Sequence, residues 1–436
     1  MIRRKKRVLI ISFEFPPANN PGALRISKFA QFLPEFGWEP TILTVEKRGE
    51  LPLSLSNTEI IRTKYFSIKE FFSGKDGAAK HTKVPIQPAD TVPKSEVNIA
   101  IRALQWLRPI YKLPLILTLV LDPQGWYPYA VKKGLEIVSA GKVDLVFSSY
   151  SPSTCHFIAS RIKQKTKIPW IAEFRDLWAM NANESKTQPF HFLEKQLEKR
   201  VMQRCDQLIT VSEPLAVKLK ELHGKEAEII YNGFDEEDYA VIIPLTPKFT
   251  ITYTGTIYEN RDPSPLFEAV SFLKINGKIS PDNFEIRFYE FESSFLRNLL
   301  LKYDLKDLVK VFPAVPYKEC IKKQKESTVL LFLGWKDPHE TGNLTSKIFE
   351  YLASGRPILS VSSEDEAVSK FIKDAKCGVV ALKTQDIENI LISWIEEFKR
   401  YQAIISCNRA PEIIRSKFTR REQTRRLADV LNKYVV

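Results

Sequence analysis

At 436 residues, with 44% apolar and 27% charged side chains, the chain can bury more than one core without disulfides or metals, which excludes a disordered polymer and a small stapled scaffold. Its formal charge of +13 sits in the first half: residues 1–205 hold 32 Lys and Arg against 18 Asp and Glu, and the rest is close to balance. An excess of that kind suits an anionic surface, whether phospholipid, a lipid-diphosphate acceptor or nucleic acid, without choosing among them.

The chain opens on Arg3-Arg4-Lys5-Lys6-Arg7 and a short apolar run. Glu14 interrupts the run and no small-residue cleavage site follows, so it reads as a buried first strand and not as a signal peptide. Further short apolar runs at 40–44, 58–62, 143–149, 168–173, 206–211 and 227–231 alternate with helix-period stretches at 23–36, 126–139, 152–165, 190–204 and 212–223. That alternation predicts a parallel sheet with crossover helices. A second series, at 249–254, 283–289, 308–312, 327–333, 357–361 and 377–381, begins after a Pro-containing stretch at 241–248. Two doubly wound α/β domains, 1–243 and 249–412, follow as the economical reading.

Residues 73–97 are polar, Pro-containing and aperiodic, which predicts a mobile insertion. Next, Val97, Ile101, Leu104 and Leu107 share a helical face beside Arg102 and Arg108, and the apolar run 113–121 follows. This segment either packs on its own domain or seats the protein on an anionic membrane surface. Over 413–436, Thr419-x-x-Glu422 announces a capped helix whose Leu427, Val430, Leu431 and Tyr434 need a partner surface. No uncharged apolar stretch of about 18 residues predicts a membrane span. Cys155, Cys205, Cys320, Cys377 and Cys407 are scattered without metal-ligand spacing, which suits a reducing cytoplasm and no metal. Neither a P-loop nor a GxGxxG fingerprint occurs, and no strand ends in Asp-x-Asp, so no obligatory divalent ion or dinucleotide is expected.

The residues with most chemistry run from Gly342 to Leu359. A buried strand leads into Asn343, Leu344 and Thr345, and a helix opens there. The unpaired N–H groups and partial positive charge of such a helix start suit a diphosphate, Lys347 adds a full charge, and Glu350 offers acceptor-only oxygens to a ribose diol. Taken alone the same residues describe a capped helix with a solvated glutamate. Phe15-Pro16-Pro17 with Gly22 and Arg25 follows the first strand; Glu173-Phe174-Arg175-Asp176-Leu177-Trp178 ends another; Tyr253-Thr254-Gly255-Thr256 leads to Arg261. Arg175 and Asp176, at the carboxyl end of a parallel strand, read either as acceptor contacts or as a buried ion pair. His156, one turn into a helix, reads as packed.

In that order, these stretches and the markers Val211-Ser212-Glu213 and Tyr231-Asn232-Gly233 resemble the family-4 type retaining glycosyltransferases of the GT-B fold. The resemblance implies two Rossmann-like domains with a cleft between them, and a last helix that returns to the N-terminal domain. It implies sugar transfer with retention from a nucleotide diphosphate-sugar to a glycan or lipid-linked acceptor, in polysaccharide or glycolipid assembly of the cell envelope. Carried over residue by residue, it puts Gly22, Gly255, Thr256, Arg261, Asn343, Leu344, Thr345, Lys347 and Glu350 at the donor. Arg25 and Trp178 fall on the acceptor side, with Asp176 and Arg175 as catalytic candidates. The pattern's first Glu is Gly342 here, with Glu340 two residues earlier, which leaves the sugar open. The departure keeps two alternatives in view, a binding protein without turnover and a nucleotide-sugar epimerase of the same architecture. The expected location is the cytoplasm, with attachment to the inner membrane face, through residues 97–121 and the basic first half, as the alternative to a segment packed on its own domain. No nucleic-acid-reading module accompanies the basic charge.

Overall fold

The structure is a computed structural model that describes residues 5–47, 49, 51, 55, 58–65, 125–180, 188–257, 260–289, 293–335, 344–407 and 410–435. The expectations placed on 73–97 and 97–121 lie outside these residues, as do those on Glu340, Gly342 and Asn343.

Strands β1 (Lys6–Ile11), β2 (Trp38–Val45), β3 (Glu59–Thr63), β4 (Leu145–Tyr150), β5 (Trp170–Phe174), β6 (Gln207–Thr210) and β7 (Ala227–Ile229) form one sheet in the order β3-β2-β1-β4-β5-β6-β7. Every neighbouring pair is parallel, with Ile10 opposite both Ile42 and Phe147. Helices α1 (Pro21–Phe32), α2 (Tyr127–Ser139), α3 (Thr154–Thr166), α4 (Gln188–Met202) and α5 (Glu213–His223) make the crossovers.

A second parallel sheet runs β10-β9-β8-β11-β12-β13, from β8 (Phe249–Thr254), β9 (Phe284–Tyr289), β10 (Val309–Phe312), β11 (Val329–Leu333), β12 (Ile358–Val361) and β13 (Gly378–Ala381). Its helices are α6 (Ser264–Ile275), α7 (Ser294–Lys302), α8 (Tyr317–Lys325), α9 (Ser346–Ser354), α10 (Ala367–Ala375) and α11 (Thr384–Tyr401). This is the α/β fold the alternation predicts, with two Rossmann-like halves.

Both sheets are covered on both faces, so their central strands are apolar throughout and the period of two only sorts residues between two cores. In β4, Leu145 and Phe147 join Ile26 and Phe29 on one side, and Val146 and Tyr150 join Ile158 and Trp170 on the other. In β11, Val329, Leu331 and Leu333 alternate in the same way with Leu330 and Phe332.

The chain returns through α12 (Glu412–Arg415) to α13 (Arg420–Asn432). Leu427, Ala428, Val430 and Leu431 bury against Ile26, Phe29, Ala30 and Leu33 of the first half. At roughly 1.5–3 kcal/mol for each large side chain, this docking is comparable with the whole stability of an ordinary domain. Only half of the predicted capping box forms. Thr419 Oγ1 accepts the Glu422 N–H at 3.1 Å, while the Glu422 carboxylate goes to Arg425 at 2.7 Å.

The linker is fastened to the second half. Lys325 Nζ donates to the carbonyls of Tyr239, at 2.5 Å, and Val241, and Arg356 donates to Ile243 O at 3.2 Å. The two passages of the chain between the halves lie side by side, with Phe234 N–H on Phe418 O at 3.2 Å and Arg420 N–H on Phe234 O at 2.8 Å.

Candidate active site

In a doubly wound sheet, loops part to opposite faces where the strand order reverses, and the crevice at the carboxyl ends of those strands is the natural ligand site. The reversals fall between β1 and β4 in the first sheet and between β8 and β11 in the second. The two crevices face each other, and Asn232 Nδ2 donates to Leu344 O across the boundary at 3.3 Å.

On the first side, Asn20 caps α1 by accepting the Ala23 N–H at 2.8 Å, with Pro21 at the first helical position. Gly22 follows, and its missing side chain has a specific beneficiary. A Cβ there would stand 2.6 Å from Arg175 Cζ, so the guanidinium rests on the helix start itself. Arg175 Nε donates to Tyr150 O at 2.8 Å and Ser149 Oγ at 3.2 Å. Asp176, beside it, is half-buried.

Arg25 is elsewhere. It is buried, paired with the fully buried Glu173 at 2.9 Å, and donates to Ile230 O at 2.8 Å and Tyr231 O at 2.6 Å. Burial lowers the Arg25 pKa and Glu173 works against that fall. Its position ties α1, β5 and the segment after β7 together beneath the cleft. Trp178 is 1% exposed, edge-on to Phe157, and donates Nε1–H to Glu194 at 3.0 Å, so the ring belongs to the core. The neighbouring Ala179 N–H goes to Glu198 at 2.8 Å, and Glu198 meets His223 Nε2 at 3.0 Å. Two buried glutamates of α4 thus pin the far end of the loop that carries Arg175 and Asp176. His156 is fully buried with Nδ1 2.8 Å from Ser148 Oγ, and burial pushes its pKa down to about 3.

On the second side, β8 ends at Gly255, whose φ of 122° is one that side chains rarely adopt. A Cβ there would also meet Lys347 Nζ at 2.8 Å. Lys347 reaches back from α9 over the Tyr253 ring, 3.9 Å from its centroid, and Arg261 lies 4.1 Å from the Trp335 ring centroid. The Tyr253 hydroxyl donates to Thr256 O at 3.1 Å and interacts with both cations. Burial pushes that phenol up, but Lys347 and Arg261 outweigh it and hold the pKa below the usual value. Arg261 is 6% exposed, and its Nε has no acceptor among the described residues.

Thr345 is the N-cap of α9, yet its hydroxyl is buried without a partner among the described residues and caps nothing. Glu350, one turn on, is half-buried. Gln324 Nε2 donates to its Oε2 at 3.4 Å and to Thr254 Oγ1 at 3.2 Å. Burial pushes the Glu350 carboxyl up, against the opposing pull of Arg420, Gln324 and Lys347. A cavity of about 130 Å³ lies between the halves here, lined by Asn20, Pro21, Tyr317, Ser346, Glu350 and Arg420. A second, of about 270 Å³, is lined by Leu344, Glu213, Tyr231, Glu366 and Lys370.

Of the residues singled out in the sequence, Gly255, Thr256, Arg261 and Lys347 therefore converge, Glu350 lines the first cavity opposite Asn20 and Pro21, and Leu344 lines the second. Arg25 reaches the junction of the halves only at a small pocket it lines with Ser346 and Arg420, and Trp178 is enclosed in the core. Trp335, Gln324, Tyr317 and Arg420 adjoin these residues and had no motif to mark them, and Tyr253 stood in the sequence only as the strand residue that leads to Gly255. Among the described residues no group of His, Cys, Asp and Glu could hold a metal ion, and no helix is long and apolar enough to cross a membrane.

Residues 89–238 match the Glycosyltransferase Family 4 sequence profile. No curated protein matches the chain. Among solved structures, sucrose-phosphate synthase from Thermosynechococcus elongatus is similar at a TM-score of 0.60 and 12% identity, covering 98% of each chain. Anabaena HepE in complex with UDP and glucose is similar at 0.59 and 13%, covering 98% of this chain and 100% of that one. A glycosyltransferase from Rickettsia africae is similar at 0.59 and 13%, covering 99% and 98%. The chain therefore has the GT-B fold of two Rossmann-like halves, with residues 89–238 similar to the Glycosyltransferase Family 4 profile.

Proposed function

We propose that the protein transfers a sugar, with retention of configuration, from a nucleotide diphosphate-sugar to a glycan or lipid-linked acceptor. The observation that carries this reading is the convergence of Arg261 and Lys347 on Tyr253 at the end of β8, beside the glycine that gives them clearance. Two cations held in a poorly solvated crevice stabilise charge that develops on a leaving diphosphate, without reorganising when it forms. The α9 start adds its unpaired N–H groups. Glu350 takes the ribose diol, and Asp176 handles the proton of the attacking acceptor hydroxyl while Arg175 holds the acceptor side of the cleft.

UDP is the first nucleotide to test, because the HepE structure holds it. Calorimetric titration with UDP-, GDP- and ADP-sugars, followed by product analysis with and without envelope-type lipid acceptors, checks the proposal. Binding followed by acceptor-dependent transfer supports it. Silence toward every nucleotide refutes it, binding without turnover makes the protein a binder only, and an altered sugar with donor alone makes it an epimerase.

A further inference from the structure

The returning helix brings one side chain into the cleft. Arg420, the first residue of α13, is 7% exposed and lines the same cavity as Glu350, Tyr317 and Ser346 of the second half and Asn20 of the first. Its Nε has no hydrogen-bond acceptor among the described residues. The nearest carboxylate, Asp235, is 3.8 Å away, beyond hydrogen-bond range, and already lies 3.1 Å from Lys28. A buried guanidinium whose ion-pair partner is shared with Lys28 and makes it no hydrogen bond is costly unless another anion shares its surroundings. Across the cavity stands Glu350, whose hydrogen bond within its own half comes from a neutral amide. Lys347, three residues before it, is turned toward Tyr253.

Resting on the donor-site reading of Glu350, we propose that Arg420 is a positioning residue of that site: carried over by the returning helix, it is the counter-charge that keeps the Glu350 carboxylate in its acceptor-only form, facing the cavity. Its pull on the Glu350 carboxyl is larger than that of Lys347, and Asp238 pushes the other way. Tyr239, Tyr317 and Cys320 also face Glu350, and burial pushes all three up, so they stay neutral between about pH 5 and 8.

The test uses the full chain and four proteins: wild type, Arg420→Gln, Glu350→Gln and the double variant, with Arg420→Lys as the charge-keeping control. UDP, GDP and ADP are titrated into each between about pH 5 and 8. In the wild type, affinity falls as pH falls through the Glu350 titration. Arg420→Gln moves that midpoint to higher pH and weakens binding near neutrality by about tenfold. Arg420→Lys restores most of it, and in the Glu350→Gln background Arg420→Gln changes nothing further. A loss equal at every pH, or one that persists without Glu350, overturns the proposal in favour of plain packing. Thermal unfolding of the same proteins reads the pairing without nucleotide. Arg420→Gln should lose stability relative to wild type increasingly as pH rises from about 4 to 7, where the carboxylate must be buried ionised, and Glu350→Gln should cut that difference to the share Arg420 gives Asp235 and Asp238. Should no nucleotide bind while this stability coupling is present, the donor reading fails and the pairing stands; its absence sinks the pairing whatever the nucleotide result.

Discussion

Gly22→Ala is the most discriminating single change in the first half, because its effect has opposite signs in two backgrounds. Gly22 is the second residue of α1, where Ala is ordinarily preferred by about 0.5–1 kcal/mol. Here a methyl group would stand 2.6 Å from Arg175 Cζ, when an ordinary contact is at least 3.4 Å. Its Nη1 would be nearer still, at 2.0 Å, so the guanidinium must retreat by about 1.4 Å, which strains or breaks the Nε bonds to Tyr150 O and Ser149 Oγ. A hydrogen bond from a charged group is worth about 1.5–3 kcal/mol, so Gly22→Ala should cost roughly 1–2 kcal/mol after the helix gain is subtracted. In an Arg175→Ala background the obstacle is gone, and the same substitution should be neutral or stabilising by up to about 1 kcal/mol. Urea unfolding of the four proteins gives the coupling energy directly. Equal costs in the two backgrounds would show that Gly22 is not there for Arg175. A transfer assay adds a functional arm: a charge displaced by about 1.4 Å should lower turnover by up to roughly 10²-fold.

Lys347→Ala should weaken nucleoside diphosphate binding by roughly ten- to a hundredfold and raise the Tyr253 phenol titration, followed by ultraviolet absorbance; a phenol that does not move would mean the cation is not acting on it. His156 resists protonation in the fold at about pH 3, while the unfolded chain takes up the proton near 6.5, so stability is lost as pH falls below about 6.5. At about pH 5 this amounts to about 2 kcal/mol, which His156→Gln should remove from the difference between neutral and acid stability curves. Glu198→Gln should cost about 1–3 kcal/mol, since one of its two buried donors loses an acceptor, and should slow transfer while leaving nucleotide affinity unchanged. A change confined to nucleotide affinity would place the α4 glutamates outside acceptor-loop support.

The strands were legible because both sheets are covered on both faces, so each is a short apolar run set off by polar helix ends. The site was legible only where chemistry is local. Gly255, Lys347 and Glu350 sit within strand-loop-helix patterns whose spacing carries meaning. Arg25 is the non-local case: an arginine at the head of a helix gives no sign in the sequence that Glu173, 148 residues away, holds it. Trp178 similarly belongs to Glu194 and Phe157. Tyr253 reads as one more strand aromatic, and only the approach of Lys347 and Arg261 from later segments gives it a role. Arg420, in a run of basic residues, looks like part of a solvated helix face. Nothing short of the docked helix shows which of those arginines turns inward.

The paired passage of the chain at Phe234 and Thr419 has a mechanical consequence. Two backbones crossing together act like the two pins of a door. With 239–243 hydrogen-bonded to the second half, the paired crossing resists sliding or stretching of one half along the other more than a swing about it. Asn20 and Glu350, which face each other across the cleft, then separate together with the swing, so access to the cavity and its exposure to water are set by one angle.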